Sequence, residues 1–237
     1  MALIPVAFVA LYFGLRQART NKMQAAAAAL GWTLVPRPGY ASIPYANSFQ
    51  LFAQAHKRRI ANLISGTRGP DQVMIFDYRA ELSWFTNRPI VETIVLVISN
   101  QATLPTFRLR ELRFNSILGL PLVHPVSFTG RPLFTNTYGL DGEDEATLRR
   151  MFDNDMLTYV ESNIGLTMEG SGGLLFVYRR GVMIAPENIA RRVDEAIFLF
   201  HSFASSLSSS VPPFPPGTTT AVPPLPSSIP IKPPPLT

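Results

Sequence analysis

From Met1 to Leu15 (MALIPVAFVALYFGL) no side chain is charged, and Leu3, Ile4, Val6, Phe8, Val9, Leu11, Tyr12 and Phe13 occupy every side of a helical projection. A helix without a polar face predicts a membrane anchor rather than an amphipathic surface helix. Fifteen residues at ~1.5 Å each span about 22 Å, short of the ~30 Å hydrocarbon core. Local thinning, snorkelling of Arg16 and Arg19, or residues upstream would meet the shortfall. The charges follow the apolar stretch instead of preceding it, which argues against a cleaved secretory signal.

The next pattern is Lys22 to Leu30 (KMQAAAAAL), rich in strong helix formers, with Gly31 as a C-terminal stop. It predicts a helical stalk over residues 23–30. After Trp32 the periodicity changes to short strand-like runs. Arg59 to Ser65 and Gln72 to Tyr78 flank the turn Gly66-Thr-Arg-Gly-Pro-Asp71 and predict a hairpin. Ile90 to Ser99 (IVETIVLVIS) is apolar on both faces, as expected of a central strand covered on each side. Phe107-Arg108-Leu109-Arg110 alternates, as a half-exposed strand does. Asp141 to Phe152 opens a helix, with Asp141 placed to cap it and Glu145 placed to pair with Arg149. Gly165 to Glu169 and Leu174 to Arg179 predict a second hairpin around the Gly170–Gly173 turn. Ile189, Val193, Ile197, Phe200 and Ala204 recur at helical spacing behind Pro186, so one face of a last helix packs on the sheet.

The expected fold is therefore α+β: an N-terminal transmembrane helix, one domain with a mainly antiparallel sheet and packed helices, and a disordered Pro-rich tail. Its segments are a membrane anchor with basic flank (1–22), the stalk (23–30), the globular domain (31–206) and the tail (207–237). Between Leu207 and Thr237 lie 11 of the chain's 22 prolines, a composition that supports polyproline II or disorder. Pro213 to Pro216 and Pro223 to Pro226 have PxxP spacing, which could engage a protein partner, although so Pro-rich a segment produces that spacing by chance.

Charge sharpens the topology. Through Arg68 there are eight cations and no Asp or Glu, whereas 13 cations face 16 anions afterwards, so the net +5 of the 237 residues is a basic first third joined to a mildly acidic remainder. The membrane-flanking Arg16, Arg19 and Lys22 predict a single pass at the cell membrane, with the N-terminus outside and the domain cytoplasmic. The basic first third would also be drawn to anionic lipids, making membrane lipids the expected partner. Nucleic acid is not expected, since no recognition motif accompanies the charge.

The order of elements resembles that of functionally uncharacterised bacterial proteins with a short N-terminal membrane anchor and a cytoplasmic α+β domain. The residues carrying the resemblance are the Arg-flanked span, Leu30-Gly31-Trp32, Ile75-Phe76-Asp77-Tyr78, Leu104-Pro105-x-Phe107 and Leu175-x-x-Tyr178-Arg179. It covers roughly residues 1–206 and implies no activity.

Candidate chemistry is sparse. Without Cys there is no disulfide, thiolate metal site or Cys nucleophile. His56, His124 and His201 stand apart from one another, and neither a G-x-S-x-G elbow nor a P-loop occurs. Lys57-Arg58-Arg59 has the charge of a PilZ-type cyclic-dinucleotide site, but the residues from Asn62 to Gly66 lack its spacing. No metal or cofactor is expected, and no catalytic residue is assigned. Asp77, in an apolar strand, calls for an ion-pair partner, for which Arg59 is the candidate. Arginine outnumbers lysine 18 to 3, and Arg108 and Arg110, with Arg179 and Arg180 across from them, form a candidate anion-binding face. The function expected is a membrane-tethered, non-catalytic binding or scaffolding module. A membrane-anchored sensor of an anionic ligand or lipid headgroup, and an enzyme of unrecognised class, are the alternatives.

Overall fold

The structure, a computed structural model, describes residues 3–44, 46–53, 57–81, 89–113 and 125–208. Helix α1 (Leu3–Leu30) leads into strand β1 (Thr33–Val35) and then two 3-10 turns and the short helix α2 (Gln50–Ala53). The long hairpin β2 (Lys57–Arg68) and β3 (Asp71–Glu81) follows, then β4 (Ile90–Ile98) and β5 (Leu104–Glu111). After β6 (Pro125–Val126) come α3 (Pro132–Thr137), β7 (Tyr138–Gly142), α4 (Glu145–Met151) and α5 (Asn154–Ser162). The hairpin β8 (Leu166–Gly172) and β9 (Leu174–Arg179) precedes a 3-10 turn (Pro186–Asn188) and the closing helix α6 (Ile189–Ser208).

The described strands form one nine-stranded sheet in the order β1-β2-β3-β4-β9-β8-β5-β7-β6. Every pairing is antiparallel. The chain is thus an α+β protein with helices packed on an antiparallel sheet. Both expected hairpins are present, and β4 lies fourth in the order, with Thr93 to Val97 buried from either side.

Each face of the sheet has its own core. On one, Ile64, Ile75, Val95, Leu109, Met168 and Val177 meet α1, α4, α5 and α6. Helix α6 contributes Ile189, Val193, Ala196, Leu199, Phe200 and Phe203, the stripe its periodicity predicts. On the other face the stretch Ile43 to Phe52 lies over Phe76, Tyr78, Ile94, Leu96 and Phe176. Phe52 meets Tyr78 and Phe176 edge-on at 5.1 and 5.6 Å, so a four-residue helix is held by aromatic packing rather than by its own hydrogen bonds. Sequence periodicity could not reveal this cover, because its apolar residues follow neither period.

Several expectations change. Residues 23–30 are not a free stalk. Met23 and Ala27 are completely buried in the helix-side core, and alanine's small side chain lets α1 lie close to the sheet. Gly31, at φ +71°, ends α1 as expected, with Gly31 N–H bonded to Ala28 O and Trp32 N–H to Ala27 O. Among the described residues no helix is long and apolar enough to cross a membrane. The alanines, glutamines and charges after Leu15 make α1 a 28-residue helix of mixed character. The tail from 209 onward, with its PxxP segments, lies outside the described residues, as do His56 and His124.

Asp141 does not cap a helix. It belongs to β7, and the cap of α4 is Asp144, which accepts from Thr147 N–H at 3.0 Å; the Glu145–Arg149 pair forms as expected at 2.6 Å. Nor is β5 half exposed: Arg108 and Arg110 retain 8% and 7% of their surface. Alternation marks a strand with two different faces, but it cannot tell a wet polar face from a buried polar cluster.

Candidate functional site

The polar residue that organises α1 is Asp77. It sits in β3 beside Thr93 of β4, facing the helices. Its partner is Arg19 rather than Arg59, bound in a two-pronged arrangement: Nε donates to Oδ2 at 2.8 Å and Nη2 to Oδ1 at 2.7 Å. The Asn62 amide and the Thr93 hydroxyl also donate to Asp77, each at 2.8 Å. Asn62 reaches this position from a bulge between Ala61 and Ile64, with φ +51°, and accepts from Thr20 of α1. The guanidinium of Arg19 extends further, donating to Ile184 O at 3.1 Å, while Ile184 N–H donates to Thr93 Oγ1. Helix α1, three strands and the loop before α6 are tied at one point. A partner 58 residues away has no local sequence signal, so this pairing was hidden.

Of the candidate anion-binding residues, Arg108, Arg110 and Arg180 share the opposite face of the sheet. There each meets carboxylates. Arg108 lies in register with Glu169 and Asp141 and donates to Asp141 at 3.1 Å and to the Gln50 side chain. Glu169 accepts from Leu51 N–H at 3.1 Å and Tyr178 OH at 3.0 Å, fastening α2 to the sheet. Glu92 accepts from Gly181 N–H at 3.0 Å, and Arg180 approaches it at 3.5 Å. Burial raises the pKa values of Glu92 and Glu169 above the usual carboxylate range, with Arg180 and Arg108 respectively pulling the other way. Burial, then the neighbouring Arg108 charge, lowers Arg110 to about 10. Burial, then Glu169, raises Tyr178. This cluster compensates its own charge and is closed to solvent. It is an internal polar layer, and it does not present the open cationic face expected.

Arg179 projects to the helix side. Its guanidinium donates to Asn163 O and Ile164 O at 3.1 and 2.7 Å and lies 3.6 Å from Glu195. Glu195 also accepts from Tyr159 OH at 2.8 Å and pairs with Arg192. Burial, then Glu195, raises the Tyr159 phenol. Beside this group, between the end of β9, the Val182–Ala185 loop and the start of α6, is a cavity of about 230 Å³ with mainly apolar walls. An open depression of about 410 Å³ adjoins it, sharing Arg179, Arg191, Arg192 and Glu195 and reaching Phe198. Phe198 and Val182, 56% and 47% exposed, extend the apolar surface outward. Among the described residues, Arg191 makes no ion pair or hydrogen bond. Here an apolar interior meets a cationic rim. Arg191 and Arg192 were not singled out from the sequence, because nothing local distinguishes them from other helix-surface arginines.

Among the described residues no group of three or more His, Asp or Glu could hold a metal. His201 bonds to the buried Asp71 at 2.7 Å. No protein-family model and no curated protein matches the chain. Among solved structures it is similar to the crystal structure of the mycobacterial trehalose monomycolate transport factor A, TtfA, with a TM-score of 0.54 and 14% identity over 83% of this chain and 98% of that one. At that identity the likeness concerns the fold.

Proposed function

We propose that this chain is a membrane-tethered, non-catalytic binding module that serves an assembly at the membrane. The observation that carries the reading is the divided character of α1. From Arg19 to Leu30 the helix is a structural part of the domain, through Asp77, Met23 and Ala27. Before it runs the uncharged stretch to Leu15, whose side chain is 64% exposed. A domain built onto the basic end of that uncharged stretch keeps a fixed orientation to whatever the stretch enters. Arg16, Arg19 and Lys22 favour a cytoplasmic domain. The fold shared with a transport factor supports a role beside transport machinery.

Removing residues 1–22 would also remove Arg19 and disturb the fold, so the informative deletion is residues 2–14. Full-length protein should sediment with membranes after carbonate washing, and the deletion variant should be soluble and fold as before. A deletion variant that stays in the washed membranes refutes the tether.

A further inference from the structure

The cavity beside Arg179 has two chemically different ends. Its inner walls include Val95, Leu166 and Val177, and its volume of about 230 Å³ is half as large again as the ~150 Å³ apolar cavity known to accept benzene. That space corresponds to a chain of about nine carbons. The outer depression carries the polar groups, and the two together fall in the ~300–1,000 Å³ range of ligand pockets.

The charges at the rim are unequally committed. Glu195 is neutralised by Arg179, Arg192 and the Tyr159 hydroxyl. Asp194, which faces the depression, pairs with Arg68 at 2.9 Å. Arg191 lines both spaces and has no partner among the described residues. Among the described residues the rim thus sets three arginines against one carboxylate, and Arg191 is the arginine that neither pairs nor hydrogen-bonds at the edge of the apolar cavity. The wall residue Ile184 is bonded to Arg19, so that side of the cavity lies next to α1 where the helix joins the domain.

We propose that this cavity binds a single-chain amphiphile with an anionic head, its acyl chain in the apolar interior and its head on Arg191. The proposal deepens the membrane-module reading and rests on it for the ligand's setting. A carboxylate or phosphate head would accept charge-assisted hydrogen bonds from the guanidinium, and a chain near nine carbons would fill the interior. The ligand is either a free fatty acid from the aqueous phase or a lysolipid from the bilayer.

The test uses the full chain in phosphatidylcholine vesicles with tritiated decanoate as probe and protein-free vesicles as blank. Saturable binding near one per chain is expected, with little competition from decyltrimethylammonium. Arg191→Gln should weaken binding about tenfold, Arg191→Lys less, and Ala185→Phe should abolish it by filling the interior. Thermal melting of each variant separates loss of the site from loss of fold, and Arg191, exposed and unpaired among the described residues, makes its substitution the safer one. Absence of saturable binding, equal competition by the decyl cation, or unchanged binding in folded Arg191→Gln and Ala185→Phe overturns the proposal. Displacement of decanoate by lysophosphatidylglycerol placed in the bilayer identifies a lipid source; displacement only by added aqueous fatty acid identifies the other. The variant lacking residues 2–14 keeps the outcomes apart. Decanoate binding by that variant supports the cavity whatever its sedimentation shows, and a sedimenting full chain that binds no decanoate overturns the cavity alone.

Discussion

Asp77 accepts two hydrogen bonds from Arg19 and one each from Asn62 and Thr93, and replacing it tests whether α1 is a structural element of the domain. Asp77→Ala leaves the guanidinium without its carboxylate and two neutral donors unsatisfied. Breaking a fully buried pair costs about 3–5 kcal/mol. The side chains here are 20% and 8% exposed, so water reaches the arginine and the expected loss is at the lower end, about 3 kcal/mol. Arg19→Met should cost a similar amount by stranding the carboxylate. The double variant should cost about 4 kcal/mol rather than the simple total, a coupling of about 2 kcal/mol. For a chain of this size 3 kcal/mol lowers Tm by about 6–12 °C. The assay is urea unfolding of the full chain in dodecyl maltoside, followed by far-UV circular dichroism and by tryptophan fluorescence. Trp32 packs against the helix-side core just past α1, so its emission reports on docking of that helix. A coupling below about 0.5 kcal/mol, with both single variants near the parent, would refute the claim that this pair fastens α1 to the sheet.

Other outcomes follow from the same geometry. A methyl group on Gly66 would lie 2.2 Å from Trp32 Cγ, so Gly66→Ala should cost about 1–3 kcal/mol by urea unfolding and shift Trp32 emission. Burial raises Glu92, so its folded form binds a proton more tightly than the unfolded chain does. Its contribution to stability is present below about pH 4.5 and is lost as pH rises through the elevated folded value. Glu92→Gln should therefore flatten the decline in stability with rising pH above 4.5, measured by urea titration; an unchanged slope counts against the assignment. The membrane fractionation and decanoate experiments above complete the set.

Local rules were reliable where a residue's surroundings are set by its near neighbours. Both hairpins were legible because apolar runs flank polar, glycine-containing segments, although the strands run on to Arg68 and Gly172 and the turns themselves are only Gly69–Pro70 and Gly173. The α6 stripe and the Gly31 stop were likewise visible, as both depend on residues within a turn or two. Asp141 shows where such reasoning fails. An acidic residue before a helix resembles a cap, yet strand pairing with β5 claims Asp141 for Arg108, and the cap passes to Asp144. The candidate anion face divides for a similar reason. Neighbouring strand residues point to opposite faces, so Arg180 joins Arg108 and Arg110 in the buried layer while Arg179 turns to the cavity.

The amino-acid sequence by itself determined the α+β class, both hairpins, the buried central strand, the uncharged N-terminal stretch and the absence of cysteine chemistry. These follow from periodicity and composition, which act over a few residues. Only the tertiary structure decided that Arg19 meets Asp77 and that residues 23–30 are core. It also showed that three arginines are already balanced by carboxylates and that Arg191 overlooks an apolar cavity. Each of these depends on side chains brought together from distant parts of the chain, where burial removes water's screening and makes the choice of partner decisive.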